Sequence, residues 1–213
     1  MYVSIIIPVY NGREYVQRAI RSVVDQNFPK KLFETIVVDD GSTDNTIEVI
    51  RPFKDSIRIL RHEKNMGLAA SRNTGIKAAR GQYIVNLDAD DYLHQDFLSI
   101  EVLFLSLNED FDAVSCDYYI VDEYEKHIER KNATEYPIAC GIMFKMEQLV
   151  KIGLYSEDFM VREEEDLRQR FLKKFRIHHI PLPLYRYRKH DDNLTNNQEL
   201  MKKYKKKFHE KHF

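Results

Sequence analysis

Glu34-Thr35-Ile36-Val37-Val38-Asp39-Asp40-Gly41-Ser42 decides the fold class, because an apolar, β-branched run passes without a break into a polar turn. A continuous run of this kind is the pattern of a strand buried on both faces, as in a parallel sheet. Upstream, Val3–Val9 has the same character, and after it Tyr15, Val16, Ala19, Ile20, Val23 and Val24 recur at helical spacing. Asn11 and Glu14 stand at capping-box spacing before that helix. Downstream, Thr43 or Asp44 can cap a helix carrying Ile47, Val49 and Ile50. Strands are then expected at 57–60 and 83–87, with a helix over 68–79 between them and Gly81 as punctuation. Strand and helix thus alternate through residues 3–91, which predicts a doubly wound α/β unit with a mostly parallel sheet flanked by helices. Polar clusters at 10–14, 39–44 and 88–91 each follow a strand, at the edge where open α/β sheets bind ligands.

The second half reads less regularly. A helix is expected over 98–107, a strand over 113–121, a polar loop or hairpin over 123–131, and a strand over 142–145 followed by a short helix. A further helix is expected at 166–174, and one or two strands over 177–187, interrupted by Pro181 and Pro183. The last residues, from about Gln198, read as a basic helix. Hydrophobic residues make up 43% and charged residues 31% of 213 residues, which fits one folded domain rather than disorder. A formal charge of −1 gives no electrostatic reason to expect nucleic-acid binding. Cys116 and Cys140 lack C-x-x-C spacing, so they read as buried thiols of a reducing compartment. The run 4–9 is too short for a signal peptide or a membrane span, so a cytoplasmic location is expected. The sequons at Asn132 and Asn193 therefore read as chance.

Asp88-Ala89-Asp90-Asp91 is the strongest local signal, since three carboxylates at a strand end repel one another unless a cation lies between them. Mg²⁺ or Mn²⁺ suits such oxygen ligands and often shares its shell with substrate phosphates. An ordinary acidic turn is the competing reading. In the same way Asp39-Asp40-Gly41-Ser42-Thr43-Asp44 reads either as a turn with a helix cap or as a contact to a nucleotide base or ribose. No G-x-G-x-x-G follows the first strand and no G-x-x-x-x-G-K-[ST] occurs, which argues against dinucleotide enzymes and P-loop NTPases.

Ser4-Ile5-Ile6-Ile7-Pro8-Val9-Tyr10-Asn11, Val37-Val38-Asp39-Asp40-Gly41-Ser42-Thr43-Asp44, Asn65-Met66-Gly67-Leu68-Ala69-Ala70-Ser71-Arg72-Asn73 and Leu87-Asp88-Ala89-Asp90-Asp91 occur in that order. Together they resemble the family 2 inverting glycosyltransferases of GT-A fold, densely over 3–95 and more loosely to about 195. The resemblance implies that Pro8, Tyr10 and Asp40 hold a nucleotide base and that Arg72 lies against the donor. Asn11, Glu14 and Asp39 join them in the implied donor set. Asp88 and Asp90 would form the D-x-D pair, with Asp90 and Asp91 on ribose and metal. Glu163-Glu164-Glu165-Asp166-Leu167 resembles the family segment that supplies the catalytic base, and Glu164 stands where the family has Asp. Glu163, Glu165 and Asp166 are the alternatives for that role. His190, in the closing segment 185–195, is implied to lie near metal and diphosphate.

The implied single displacement has a carboxylate take the acceptor's proton while a divalent metal, Mn²⁺ or Mg²⁺, neutralises the departing diphosphate. The implied donor is a nucleotide sugar, UDP-linked by family preference, carrying a hexose or N-acetylhexosamine. A glycan or lipid-linked glycan is the implied acceptor, in surface glycan or polysaccharide synthesis. Two competing readings are a catalytically weak nucleotide-sugar-binding or assembly protein, and a sugar-phosphate nucleotidyltransferase. The latter normally opens on a Gly-rich loop where this chain has Pro8-Val9-Tyr10-Asn11. Residues 1–195 are expected to form one domain, with 1–95 holding the donor and 96–195 the acceptor and base. In the tail 196–213, Leu200 or Met201, Tyr204 and Phe208 share a helical face ringed by lysines. That face either packs on the domain or lies on the inner face of a membrane.

Overall fold

Four strands built from the apolar runs, β1 (Val3–Val9), β2 (Phe33–Asp39), β3 (Arg58–Arg61) and β4 (Tyr83–Asn86), lie parallel in the order β3-β2-β1-β4. The computed structural model describes residues 2–191, 193 and 196–212. Every residue of β1, β2 and β4 is buried, because helices cover both faces. The pleat sorts β1 between two cores. Val3, Ile5, Ile7 and Val9 pack with Val16, Ala19, Ile20 and Val23 of α1 (Val16–Val24), whereas Ile6 packs with Ala69 and Ile76 of α3 (Leu68–Ala78). α3 approaches so closely that a Cβ on Gly75 would sit 2.4 Å from Ile6 Cγ2. α2 (Thr46–Ile50) is short.

The second half continues the same sheet, now with mixed direction. β8 (Ile142–Lys145) runs antiparallel to β4, and β6 (Ala113–Val121) antiparallel to β8. β9 (Ile177–Arg188) runs parallel to β6, and the two-residue β5 (Tyr92–Leu93) pairs with β9. The path is β3-β2-β1-β4-β8-β6-β9-β5, and β7 (His127–Lys131) completes a hairpin on β6. The parallel character is therefore confined to the first half and the β6–β9 pair. Helices α4 (Phe97–Leu107), α5 (Met146–Lys151), α6 (Glu163–Leu172) and α7 (Gln198–His212) pack around this sheet.

Two sequence expectations are corrected, and a third, left between one strand and two, is resolved as one. Asn11 and Glu14 do not form a capping box: α1 begins after Tyr15 with no side-chain cap, and Asn11 adopts a left-handed φ of 50° that turns its side chain toward the 42–44 loop. α6 starts at Glu163, not 166, so the acidic run occupies its first turn, where the macrodipole favours it. β9 is one strand despite its prolines. Its register slips twice where Pro183 faces Asp117, since proline has no N–H for the ladder and the surplus residues bulge.

The tail helix forms, and its apolar face is covered: Tyr204 and Phe208 are buried against Phe159 and Val161, with Leu200 and Met201 alongside. Both cysteines are free and buried. Asn132 accepts the N–H and hydroxyl of Thr134 in a local turn, while Leu194 and Thr195 of the second sequon lie outside the described residues. Among the described residues no helix is long and apolar enough to cross a membrane.

Candidate active site

The three polar clusters meet at the C-terminal edge of the parallel strands. The loop after β1 is stitched to the loop after β2, since Asn11 N donates to Ser42 Oγ at 2.9 Å and Thr43 N to Asn11 Oδ1 at 2.8 Å. Gly41, at φ 73°, lets this loop lie on the one after β3; a Cβ there would come within 2.6 Å of the Lys64 backbone. Pro8 is buried in β1 opposite Val38, and Tyr10 follows it as a 47% exposed ring at the mouth of the site. Glu14 is exposed beside it.

Asp39 and Asp40 are both buried and both committed to the protein. Asp39 Oδ1 accepts Ser42 N at 3.1 Å, and Oδ2 pairs with Arg61 at 3.0 Å. Asp40 Oδ1 pairs with His62 Nδ1 at 2.7 Å and accepts Met66 N at 2.8 Å, while Oδ2 accepts Gly67 N at 2.8 Å. Asp40 thus caps the entry to α3, where an anion is favoured, and its expected contact to a base is not prepared in this arrangement.

The D-A-D-D loop divides its carboxylates. Asp88 and Asp90 remain about one-third exposed, at 29% and 31%. Asp90 Oδ2 pairs with His190 Nε2 at 3.0 Å and accepts Asn193 Nδ2 at 3.3 Å, so His190 does reach the D-x-D pair. Asp91 is different. It is buried, its Oδ2 accepts the Tyr185 hydroxyl at 2.5 Å, and its Oδ1 accepts Arg188 N at 2.7 Å. Burial, and then Asp90 and Asp88 nearby, push its carboxyl well above the usual range. Asp91, expected on ribose or metal, here has both oxygens tying the loop to β9.

Arg72, expected against the donor, pairs here with two carboxylates. Its side chain is fully buried, donating to Asp88 Oδ1 at 2.7 Å and to Glu163 Oε1 at 2.5 Å, and its guanidinium lies 5.2 Å from the Tyr155 ring. It joins the Asp88–Asp91 loop to α6. Burial pushes Glu163 up to about 7, against the pull of Arg72, with Glu164 adding to the rise. Glu165 pairs with Arg162 at 2.5 Å, and Asp166 accepts from Arg170 at 2.8 Å. Glu164, half-buried on the same turn, lies near the charge of Arg168 without a contact ion pair among the described residues.

Several groups at the site carried no sequence signal of their own. Arg188 is 2% exposed; its Nε donates to the Asp90 carbonyl at 2.8 Å and its guanidinium lies 4.9 Å from the Tyr15 ring centroid. Asn73 grips Tyr155 through both backbone groups, at 2.9 and 3.0 Å. Nothing in a sequence separates a buried arginine from a solvated one until its partners are known.

Among the described residues no three His, Cys, Asp or Glu side chains form a ready-made metal cage. The donor set still fits a hard cation: two partly exposed carboxylates at one strand end match the way Mg²⁺ and Mn²⁺ take one or two protein oxygens and complete their shell from substrate phosphates.

The family model described as Glycosyl transferase family 2 matches residues 4–171. An uncharacterized glycosyltransferase of Rickettsia bellii is 38% identical over 177 residues, covering 77% of this chain and 25% of its own length. The chain spans 21% to 25% of the length of three such Rickettsia relatives. S. aureus TarS 1-349, solved in complex with UDP-GlcNAc, superposes with a TM-score of 0.82 at 22% identity, over 92% of this chain and 61% of that one. The mannosyltransferase PcManGT from Pyrobaculum calidifontis, in complex with GDP-Man and Mn²⁺, superposes with a TM-score of 0.70 at 22% identity, over 86% and 56%. The shared fold is the mixed α/β architecture of GT-A glycosyltransferases.

Proposed function

The chain belongs to glycosyl transferase family 2, and from that premise we propose that it moves a sugar from a nucleotide-diphosphate sugar to an acceptor hydroxyl with inversion, Glu164 acting as base. One observation carries the choice of base. Glu163, Glu165 and Asp166 are each in a contact ion pair, whereas Glu164, on the same first turn of α6, only feels the nearby charge of Arg168 among the described residues. A carboxylate held in an ion pair has its direction fixed by its partner, so the one without such a partner is best suited to turn toward an arriving hydroxyl.

Asp88 and Asp90 would hold Mn²⁺ or Mg²⁺, which when bound supplies charge neutralisation for the departing diphosphate. His190 orients Asp90, and Arg72 orients Asp88 while fixing α6 at a set distance from the donor edge. Tyr10, exposed above Pro8, offers the nucleotide base a ring to stack on. UDP-GlcNAc is the first donor to try, because a neighbour of the same fold is solved with it. A glycan or lipid-linked glycan is the proposed acceptor. Any membrane contact would rest on the exposed Lys202, Lys203, Lys205 and Lys206, since the apolar stripe of α7 is already covered. The weak-binder alternative loses ground, because a usable carboxylate is present. UDP release from UDP-GlcNAc, measured with Mn²⁺ and again with EDTA, tests the reading. We expect turnover only with metal, and equal rates in both conditions would remove the metal from the scheme.

A further inference from the structure

The helix that carries Glu164 is clamped from behind by the tail. Asp166 is fully buried, and three basic side chains converge on it: Arg170 at 2.8 Å from α6 itself, and Lys211 Nζ at 2.8 Å and His212 Nε2 at 2.9 Å from α7. The His212 side chain is 4% exposed. The same helix holds the segment leading into α6. Tyr204 and Phe208 pack on Phe159 and Val161, Lys207 Nζ donates to the Asp158 carbonyl at 2.6 Å, and Arg162 lies 5.6 Å from the Phe208 ring. At about 100° per residue, Asp166 points roughly opposite to Glu164 on the helix, so a grip on one sets the direction of the other.

We propose that Lys211 and His212 are positioning residues for the catalytic base, holding α6 through Asp166 so that Glu164 faces the acceptor. This inference rests on the Glu164 reading. Packing alone does not require the arrangement, since Tyr204 and Phe208 already dock α7, and Arg170 already pairs with Asp166. Of the two added contacts, Lys211 stays 36% exposed while His212 is withdrawn from water at 4%, so the imidazole is the more closely fixed of the pair. Lys211, His212 and Arg170 also hold the Asp166 carboxyl below its usual range against burial, which keeps it charged.

The test compares the full chain with His212→Ala, His212→Gln and Lys211→Met, with Glu164→Gln as a control. Hydrogen–deuterium exchange over residues 163–172 and turnover of UDP-GlcNAc with Mn²⁺ are read together. His212→Ala and Lys211→Met should raise exchange in α6 by about tenfold while β1–β4 stay protected. They should lower kcat by about tenfold with KM for donor unchanged, as expected when only the orientation of the base is lost. His212→Gln, which keeps an N–H donor, should restore most of both. Parent-like exchange in α6 overturns the proposal. So does raised exchange with unchanged kcat, which would make the clamp merely structural. If Glu164→Gln turns over normally while His212→Ala behaves as expected, the base assignment falls and the clamp on α6 stands.

Discussion

In the parallel half of the sheet, polar residues reach the site on loops that follow directly from buried strands, and backbone N–H groups hold their side chains in place. In the mixed half, the candidate base stands on a helix that no strand leads into, and side-chain ion pairs hold that helix. Asp40 illustrates the first mode, gripped by the N–H groups of Met66 and Gly67. α6 illustrates the second, its Glu163 tied to Arg72 and its Asp166 to Arg170, Lys211 and His212. Backbone anchoring makes a rigid cradle for a donor. Side-chain anchoring leaves the base adjustable by single substitutions, so the two halves should fail in different ways.

The tie between them should give the largest effect. Arg72→Met strands two carboxylates, Asp88 and Glu163, and should destabilise the fold by about 3–5 kcal/mol in denaturant unfolding, the usual result of breaking a buried pair. A loss under about 1 kcal/mol would mean that the halves are not coupled through this residue. Glu164→Gln should lower kcat by about 10²-fold with donor affinity and stability unchanged, placing chemistry in the mixed half alone. Normal turnover in this variant, with loss in Glu163→Gln or Glu165→Gln, would move the base along the turn. Asp90→Asn should weaken Mn²⁺-dependent UDP binding by at least about tenfold in calorimetry, since removing a ligand costs no less than disturbing a second shell. Asp91→Asn should leave the metal response intact and show its effect on melting. The reverse pattern would restore Asp91 to the metal set.

The smallest expected effect lies away from the site. Glu101, on α4, is fully buried, with the Cys116 thiol, a weak hydrogen-bonding group, as the polar neighbour of its carboxyl. Burial pushes its carboxyl well above the usual range. The folded state therefore keeps the proton while the unfolded chain releases it above its ordinary value of about 4.3. Unfolding then gains from rising pH, and stability falls. Glu101→Leu should raise stability by about 1 kcal/mol at pH 8, with the gap closing toward pH 5. A constant gap across that range would show that Glu101 is ionised in the folded protein.

The parallel half was legible because burial on both faces leaves a plain mark: β-branched runs ending in polar turns. Where the reading slipped, one residue type had two uses. Asn11 suits a helix cap and a left-handed turn equally well, and the turn won. The start of α6 was read three residues late because Arg162, at φ 66°, breaks the helical path immediately before it. The acidic first turn was itself the better signal. The roles of Arg72, Arg188 and Asp91 were not legible, since each depends on partners distant in sequence, and charged residues are read as exposed by default.

The two margins of the sheet have a consequence for how copies of this chain coexist. β3, at one margin, is four residues long, and its Arg58 and Arg61 reach back to Glu34 and Asp39 of β2 at 2.7 and 3.0 Å. β5, at the other, has two residues, and β7, the outer strand of the hairpin on β6, is exposed and charged through Glu129 and Arg130. Short, charged rims discourage another chain from adding a strand. Crowded molecules therefore meet salt-linked side chains instead of open backbone ladders, which protects this nine-stranded sheet from growing into a neighbour and aggregating.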